Sequence, residues 1–240
     1  MDNQTQVWIS EVLGWAEHFY IGNGYPHVDY KRMFILEHKQ HNAQVVNSDV
    51  VFTAEEEAEL QHLWSLSRQA WGKASDLHGM AILPDKLWTS DVNSPSPNLS
   101  AFTITGNYLV LSEACGEILQ QFNLGNSQLV KLQIYNMGTL EPDDKRFFYF
   151  FDLAEWRHYV LPEKSASCRS SGYERNGYQR HVYRPWKGDL VLSKEAPYCD
   201  LDIWHDPMLM RSVFLSKRLY QALNDAGMSQ DWHLTPCVID

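Results

Sequence analysis

The residues that could do chemistry in this chain are spread thinly. Ten histidines raise the question of a bound metal, and Glu37-His38-Lys-Gln-His41 sets two imidazoles three residues apart, near enough to share one side of a helix. The spacing is not His-Glu-x-x-His, the pair follows a strand-like run, and no third ligand accompanies it. The expectation is therefore surface or hydrogen-bonded histidines and no metal. Asp200-Leu-Asp-Ile-Trp-His-Asp206 is richer, since three carboxylates, an indole and an imidazole converge in one short segment. A single histidine and a missing glycine turn argue against a calcium loop. Two readings of it compete. In one, Asp200, Asp202, Trp204, His205 and Asp206 form a partner-binding surface with Trp204 as its central anchor. In the other, Trp204 is core and the acids solvate a polar loop.

Other chemistry fails on spacing. No Gly-x-Ser-x-Gly is present, so a nucleophile elbow is absent. Gly22-Asn-Gly24 lacks a third glycine, and Pro26 stands where a phosphate-binding helix should open. Glu141, Asp143 and Asp144 cluster in a Pro-containing loop where carboxylates are ordinarily solvated, and acid/base work needs a cleft. Cys115, Cys168, Cys199 and Cys237 lie far apart without a Cys-x-x-Cys, which predicts reduced thiols rather than a zinc knuckle, redox motif or disulfide framework. No catalytic residue and no cofactor is assigned.

The elements that would hold these residues can be read in part. Trp8, Val12, Trp15 and Phe19 suit one helical face over 7–20, although Gly14 weakens it. Lys31 to Glu37 reads as a strand. Thr53-Ala-Glu-Glu56 is a capping box opening a helix with Leu60, Leu63, Trp64 and Trp71 on one face. Asp91 to Ser100 holds two prolines among small polar residues and reads as a linker between an acidic amino-terminal part, 1–90, and a domain over 101–240. Beyond it a unit repeats. Leu109 to Phe122 with Leu129 to Tyr135, and Ser212 to Ala226 with Trp232 to Pro236, both read strand, Ser cap, helix, glycine, strand. Ser112 and Ser216 are the caps, and a glycine near each helix end supplies a left-handed close. Phe147 to Phe151 looks buried on both faces, and Tyr173 to Tyr183 reads as a hairpin turning at Asn176-Gly177. Arg169, Arg175, Arg180, Arg184 and Lys187 make that region basic, either as a solvated hairpin or as a partner surface. The fold class expected is α+β: a mixed sheet with packed helices and two similar strand-cap-helix-strand units.

Charge narrows the partners. A formal net charge of −10 disfavours nucleic acid, which needs a basic face, and suits a cationic protein surface. Residues 1–105 hold 6 Lys+Arg against 13 Asp+Glu, so the amino-terminal part is the more acidic. Met1-Asp2-Asn3-Gln4 has an acid where a secretory signal needs bases, and no long apolar run follows, so a cytoplasmic protein without a membrane span is expected.

Ser212-Val-Phe-Leu-Ser-Lys-Arg-Leu-Tyr-Gln-Ala-Leu-Asn-Asp-Ala-Gly227, with Asp202-Ile-Trp-His-Asp206 before it and Trp232-His-Leu-Thr-Pro236 after, resembles the end of a family of bacterial immunity proteins, family eleven of polymorphic toxin systems. Its members tend to finish with a strand, a Val/Ile-x-Leu/Val-Ser-x-x-Leu/Phe turn, a short helix ending at Gly, and a last strand. The resemblance covers about 105–240 and transfers no functional residue. It implies an antitoxin-like binder that occludes a cognate toxin in the cytoplasm. The alternative from the residues themselves is a small hydrolase or transferase with a scattered active site.

Overall fold

The computed structural model describes residues 6–15, 18–19, 21–25, 27–45, 49–74, 83–89, 96–105, 108–175, 177–183 and 188–240. They form an α+β fold of mixed and antiparallel sheets with packed helices. The chain packs as two compact units built from discontinuous segments. The larger comprises Met1–Phe19, Pro97–Lys131 and Phe147–Asp240, and the smaller Tyr20–Ser96 and Leu132–Arg146. The chain thus changes unit between Ser96 and Pro97, inside the 91–100 stretch, but also at three other places. Of that stretch, 91–95 lie outside the described residues. Ser96 and Ser100 are buried, each held by a carboxylate, Asp143 and Asp231 respectively.

Two sheets of the larger unit share one topology. β1 (Val7–Ser10) is followed by the short helix α1 (Val12–Trp15) and β2 (His18–Phe19). β5 (Ala101–Ile104), β6 (Tyr108–Ser112), helix α4 (Glu113–Leu119), β7 (Gln128–Leu132) and β9 (Phe148–Asp152) build the first sheet, in the order β2-β5-β6-β9-β7. β13 (Ile203–Trp204), β14 (Val213–Ser216), helix α5 (Lys217–Asp225) and β15 (Leu234–Pro236) build the second with β1, in the order β13-β14-β1-β15. In both, an antiparallel strand pair leads into a helix, the next strand lies two places over, and a further strand fills the gap. That filler is β9 in one sheet and the amino-terminal β1 in the other.

The likeness extends to register and caps. Ser112 pairs with Phe148 and Ser216 with Val7, while Leu111 faces Ala101 and Leu215 faces Ile203. Ser112 sits at φ −59°, ψ 158° and its side chain accepts from the Cys115 amide; Ser216 sits at φ −64°, ψ 159° and accepts from the Leu219 amide. A hydroxyl in that position satisfies one orphan donor of the first helical turn, which is why Leu-Ser ends both strands. The carboxyl ends differ. Gly227 at φ +71° closes α5, with Met228 N–H on Leu223 O and Gly227 N–H on Asn224 O. Gly125 at φ +61° lies in the following turn instead, and α4 ends on Gln120 in helical conformation. Both helices bury one face in a single core that includes Leu111, Cys115, Leu119, Leu215, Leu219, Leu223 and Trp232.

Residues 7–10 correct the helical expectation. Val7 and Ile9 bury into one core and Trp8 packs against the other, stacked on Tyr220 at 3.7 Å, so the alternation of a strand decides over the helical spacing. Glu11, the next residue, is 7% exposed with Oε2 unpartnered among the described residues, and burial pushes its carboxyl up to about 7. As expected of 148–151, β9 is buried along its whole length, but Phe147 precedes the strand and is exposed. The hairpin forms from β10 (Arg169–Arg175) and β11 (Tyr178–Val182) with Gly177 at φ +79°; Asn176 lies outside the described residues. β12 (Val191–Leu192) and β16 (Val238–Ile239) pair in parallel.

In the smaller unit, β3 (Ile21–Gly24), β4 (Lys86–Thr89) and β8 (Ile134–Tyr135) form a sheet in that order beside helices α2 (Tyr30–Ala43) and α3 (Ala54–Ala74). Residues 31–37, expected as a strand, are the first half of α2. Asp29 caps it by accepting from the Arg32 amide at 2.9 Å, and Tyr30, Met33 and Leu36 are buried at a spacing of three. The capping box of α3 is reciprocal as expected: Glu56 N–H to Thr53 Oγ1 at 3.3 Å, Thr53 N–H to Glu56 Oε2 at 3.0 Å. Leu60 and Leu63 face the core, while the Trp71 side chain lies outside what is described.

Candidate functional site

The structure separates the five residues of the 200–206 segment. Trp204 is 1% exposed, stacked on Phe214 at 5.8 Å and edge-on to Tyr159 at 6.2 Å, which removes it as a surface anchor. Asp202 is buried and fully engaged. Its carboxylate accepts from the Asn123 amide (2.9 Å), the Ser216 hydroxyl (2.5 Å) and both Nε and Nη2 of Arg218 (3.2 and 2.6 Å). Asp206 is equally buried; it accepts from the amides of Tyr159, Val160 and Met208 at 2.9 Å each and lies 3.5 Å from His158 Nδ1. That carboxylate raises the pKa of His158. Only Asp200, paired with Arg157 at 3.2 Å, and the half-buried His205 reach the surface. A carboxylate with three or four donors holds backbone in place, so Asp202 and Asp206 are spent on the frame.

Several of the other candidates are likewise committed. Burial opposes ionisation of Asp143, yet hydrogen bonds from Ser96 and Asn136 prevail and hold its pKa below the usual value. Asp144 pairs with Arg146 at 2.6 Å. All four cysteines are free thiols, and burial pushes Cys115 up to about 12 and Cys168 up to about 11, away from the thiolate at neutral pH. On the hairpin, Arg180 Nη2 donates to Leu209 O at 2.8 Å and Arg169 is exposed; Arg184, Lys187 and the Arg175 side chain lie outside the described residues. No group of three His, Cys, Asp or Glu among the described residues could hold a metal, and no described helix is long and apolar enough to cross a membrane.

His38 and His41, by contrast, lie on a concave surface. α2 and the loop after β8 enclose a groove of about 590 Å³, lined by Phe34, Ile35, Glu37, His38, His41, Met137, Gly138 and Leu140. Phe34, His38 and His41 stand at i, i+4 and i+7, so the groove follows two turns of α2, about 10 Å. The facing loop is rigidly built. Asn136 Oδ1 accepts from the amides of Gly138 (2.8 Å) and Thr139 (3.2 Å), Leu140 N–H returns to Asn136 O (2.8 Å), and Asn136 N–H reaches Glu141 O (2.9 Å). Thr89 Oγ1 accepts from the Met137 amide, and Asp143 ties the loop's end to Ser96. This network holds Leu140 at φ +62°, a left-handed conformation that costs a non-glycine residue on the order of 1 kcal/mol.

Across the groove Glu37 is fixed by Trp64 Nε1 at 2.6 Å, while Ile35 is 43% exposed. The surface is mostly apolar with two exposed imidazoles, suited to holding apolar side chains. Sequence reading saw the histidine pair but not the groove, because nothing in Asn136-Met-Gly-Thr-Leu140 announces that a leucine rather than the glycine takes the left-handed position. No protein-family model matches the chain, and no curated protein does either, so the likeness over 105–240 rests on the segments quoted for it.

Proposed function

We propose that the protein works by contact: it is an immunity-type binder that neutralises a cognate bacterial toxin in the cytoplasm by occluding it. The observation that carries this reading is the groove of the smaller unit, which a strained leucine on a well-bonded loop and the exposed Ile35 both line. Strain kept at a surface by an over-determined loop fits a recognition site, since the frame would be more stable without it. The net charge of −10 supports a cationic partner by steering encounter.

The test is co-expression with the toxin domain encoded beside the gene, followed by calorimetric titration of the two purified proteins. Protection of the host together with a saturable complex is expected, with association slowing as salt rises. Growth arrest despite soluble protein, with no heat of binding, would sink the reading. Turnover of a small molecule by the purified chain would favour the hydrolase or transferase alternative.

A further inference from the structure

We infer that the occupant of this groove is an amphipathic helical segment of the partner, with an apolar stripe flanked by Lys or Arg. The inference rests on the contact-binding reading and deepens it. The groove runs along α2 past Phe34, His38 and His41, so its occupant must present side chains along a line about two helical turns long. An apolar stripe at i, i+3/i+4 and i+7 laid against such a wall is the helix-in-groove mode of recognition. The volume of about 590 Å³ falls within the range of about 300–1,000 Å³ common to ligand pockets, with room for more than one large side chain.

Charge selects the flanks. Residues 20–96 and 132–146 carry thirteen Asp and Glu against eight Lys and Arg. Arg32 and Lys39, on the same helix as the groove wall, are bound to Glu59 and Glu56, and Arg146 to Asp144. Glu141, adjoining Leu140, is exposed, and Glu37 lies in the groove itself. A cationic flank meets this acidic excess, whereas an acidic one is repelled.

Leu140 gives the inference its sharpest handle. Because the residue already occupies a glycine-type conformation, Leu140→Gly relieves strain while deleting the side chain that faces the occupant. Binding and stability should therefore part company. The probes are a short amphipathic peptide of Leu, Trp and Lys, its Glu-for-Lys counterpart, and the toxin domain, each titrated into isotopically labelled full-length protein. The Lys peptide should bind with amide shifts centred on 34–41 and 136–141, and the Glu peptide should not. Leu140→Gly should weaken peptide and toxin roughly tenfold with a melting temperature no lower than wild type. Ile35→Ser and Glu141→Lys, at exposed positions, give independent second readings; both should weaken the toxin complex. If the toxin binds all three variants as tightly as wild type, the groove is not its site, although the contact function stands. If the Lys peptide shifts residues elsewhere, or the Glu peptide binds equally well, the inference is overturned. A toxin that binds nothing, beside a Lys peptide that fills the groove, defeats the toxin reading alone.

Discussion

The two sheets of the larger unit share a four-strand arrangement and the same Leu-Ser helix caps, yet one fills its gap with a strand that comes after β7 in the chain and takes only the edge strand β2 from the amino-terminal segment, whereas the other takes the filler itself, β1, from there. In the first, β9 supplies Phe148 to Asp152, buried throughout. In the second, β1 supplies Val7 to Ser10 and runs directly into Glu11, a buried carboxyl with one oxygen unpartnered among the described residues. The sheets are also latched crosswise. Ser100, ahead of β5, donates from N–H and Oγ to Asp231 after α5, both at 2.7 Å, while Asp202, ahead of β13, exchanges bonds with the backbone of Asn123 after α4. Equivalent positions thus use different chemistry: a neutral hydroxyl on one side, a buried carboxylate with a guanidinium on the other. Topology is shared; the polar interactions that fix it are not.

Substitutions at paired positions sharpen that comparison. Phe102 faces Val110 in the first sheet as Trp204 faces Phe214 in the second, and both side chains are essentially inaccessible. Changing either to Ala should cost about 3–5 kcal/mol in denaturant unfolding, and similar losses would confirm that the positions are equivalent. A change of under about 1 kcal/mol at Trp204 would place it outside the core.

Asp202→Asn should cost about 2–3 kcal/mol, because it weakens bonds to Ser216, Arg218 and Asn123 at once; solvent screens the mostly exposed Arg218 and limits the loss. Ser100→Ala should cost less, since a neutral donor is lost and the Asp231 carboxylate keeps the Ser100 amide. Equal costs would contradict the difference drawn between the two latches.

Glu11 should show in the pH dependence. Its folded pKa of about 7 lies above the ordinary value of 4.5, so the native state binds the extra proton between those limits and stability falls as pH rises through them. Glu11→Gln should gain roughly 2 kcal/mol at pH 8 and almost nothing at pH 4, read from urea midpoints at the two pH values. A gain that does not vary with pH would mean the carboxyl is not desolvated.

The smallest effects belong to the caps. Ser112→Ala should cost about 1 kcal/mol, and Ser216→Ala somewhat more, because only the Ser216 hydroxyl also donates to Asp202. Identical values would show that the extra bond adds nothing.

What was legible in the sequence follows the same division. Leu-Ser before an amphipathic run, Thr53 with Glu56, and the Phe147–Phe151 run are local signals, and each element formed where expected, except that the strand opens one residue later, at Phe148, and leaves Phe147 exposed. The filler strand was not legible. Val7 to Ser10 is a strand only because β14 and β15 leave a gap for it, and no window around Trp8 contains either neighbour. Residues 31–37 failed for a related reason: a short apolar run fits both periods, and the Asp29 cap that decides for helix is a single residue. For the candidate site, the concentration of acids and aromatics at 200–206 signalled a well-satisfied buried network rather than a surface. The groove depends on a backbone conformation at Leu140 that residue type argues against.

On the function proposed above, the protein acts through the surface formed by α2 and the Asn136–Glu141 loop. Hydrogen exchange measured on the free protein and on its complex with the toxin domain tests it most directly. Amides of 34–41 and 136–141 should gain protection on binding, while those of 200–206 should be slow already and unchanged. Protection gained instead along the 169–182 hairpin, with 34–41 unaffected, would contradict it.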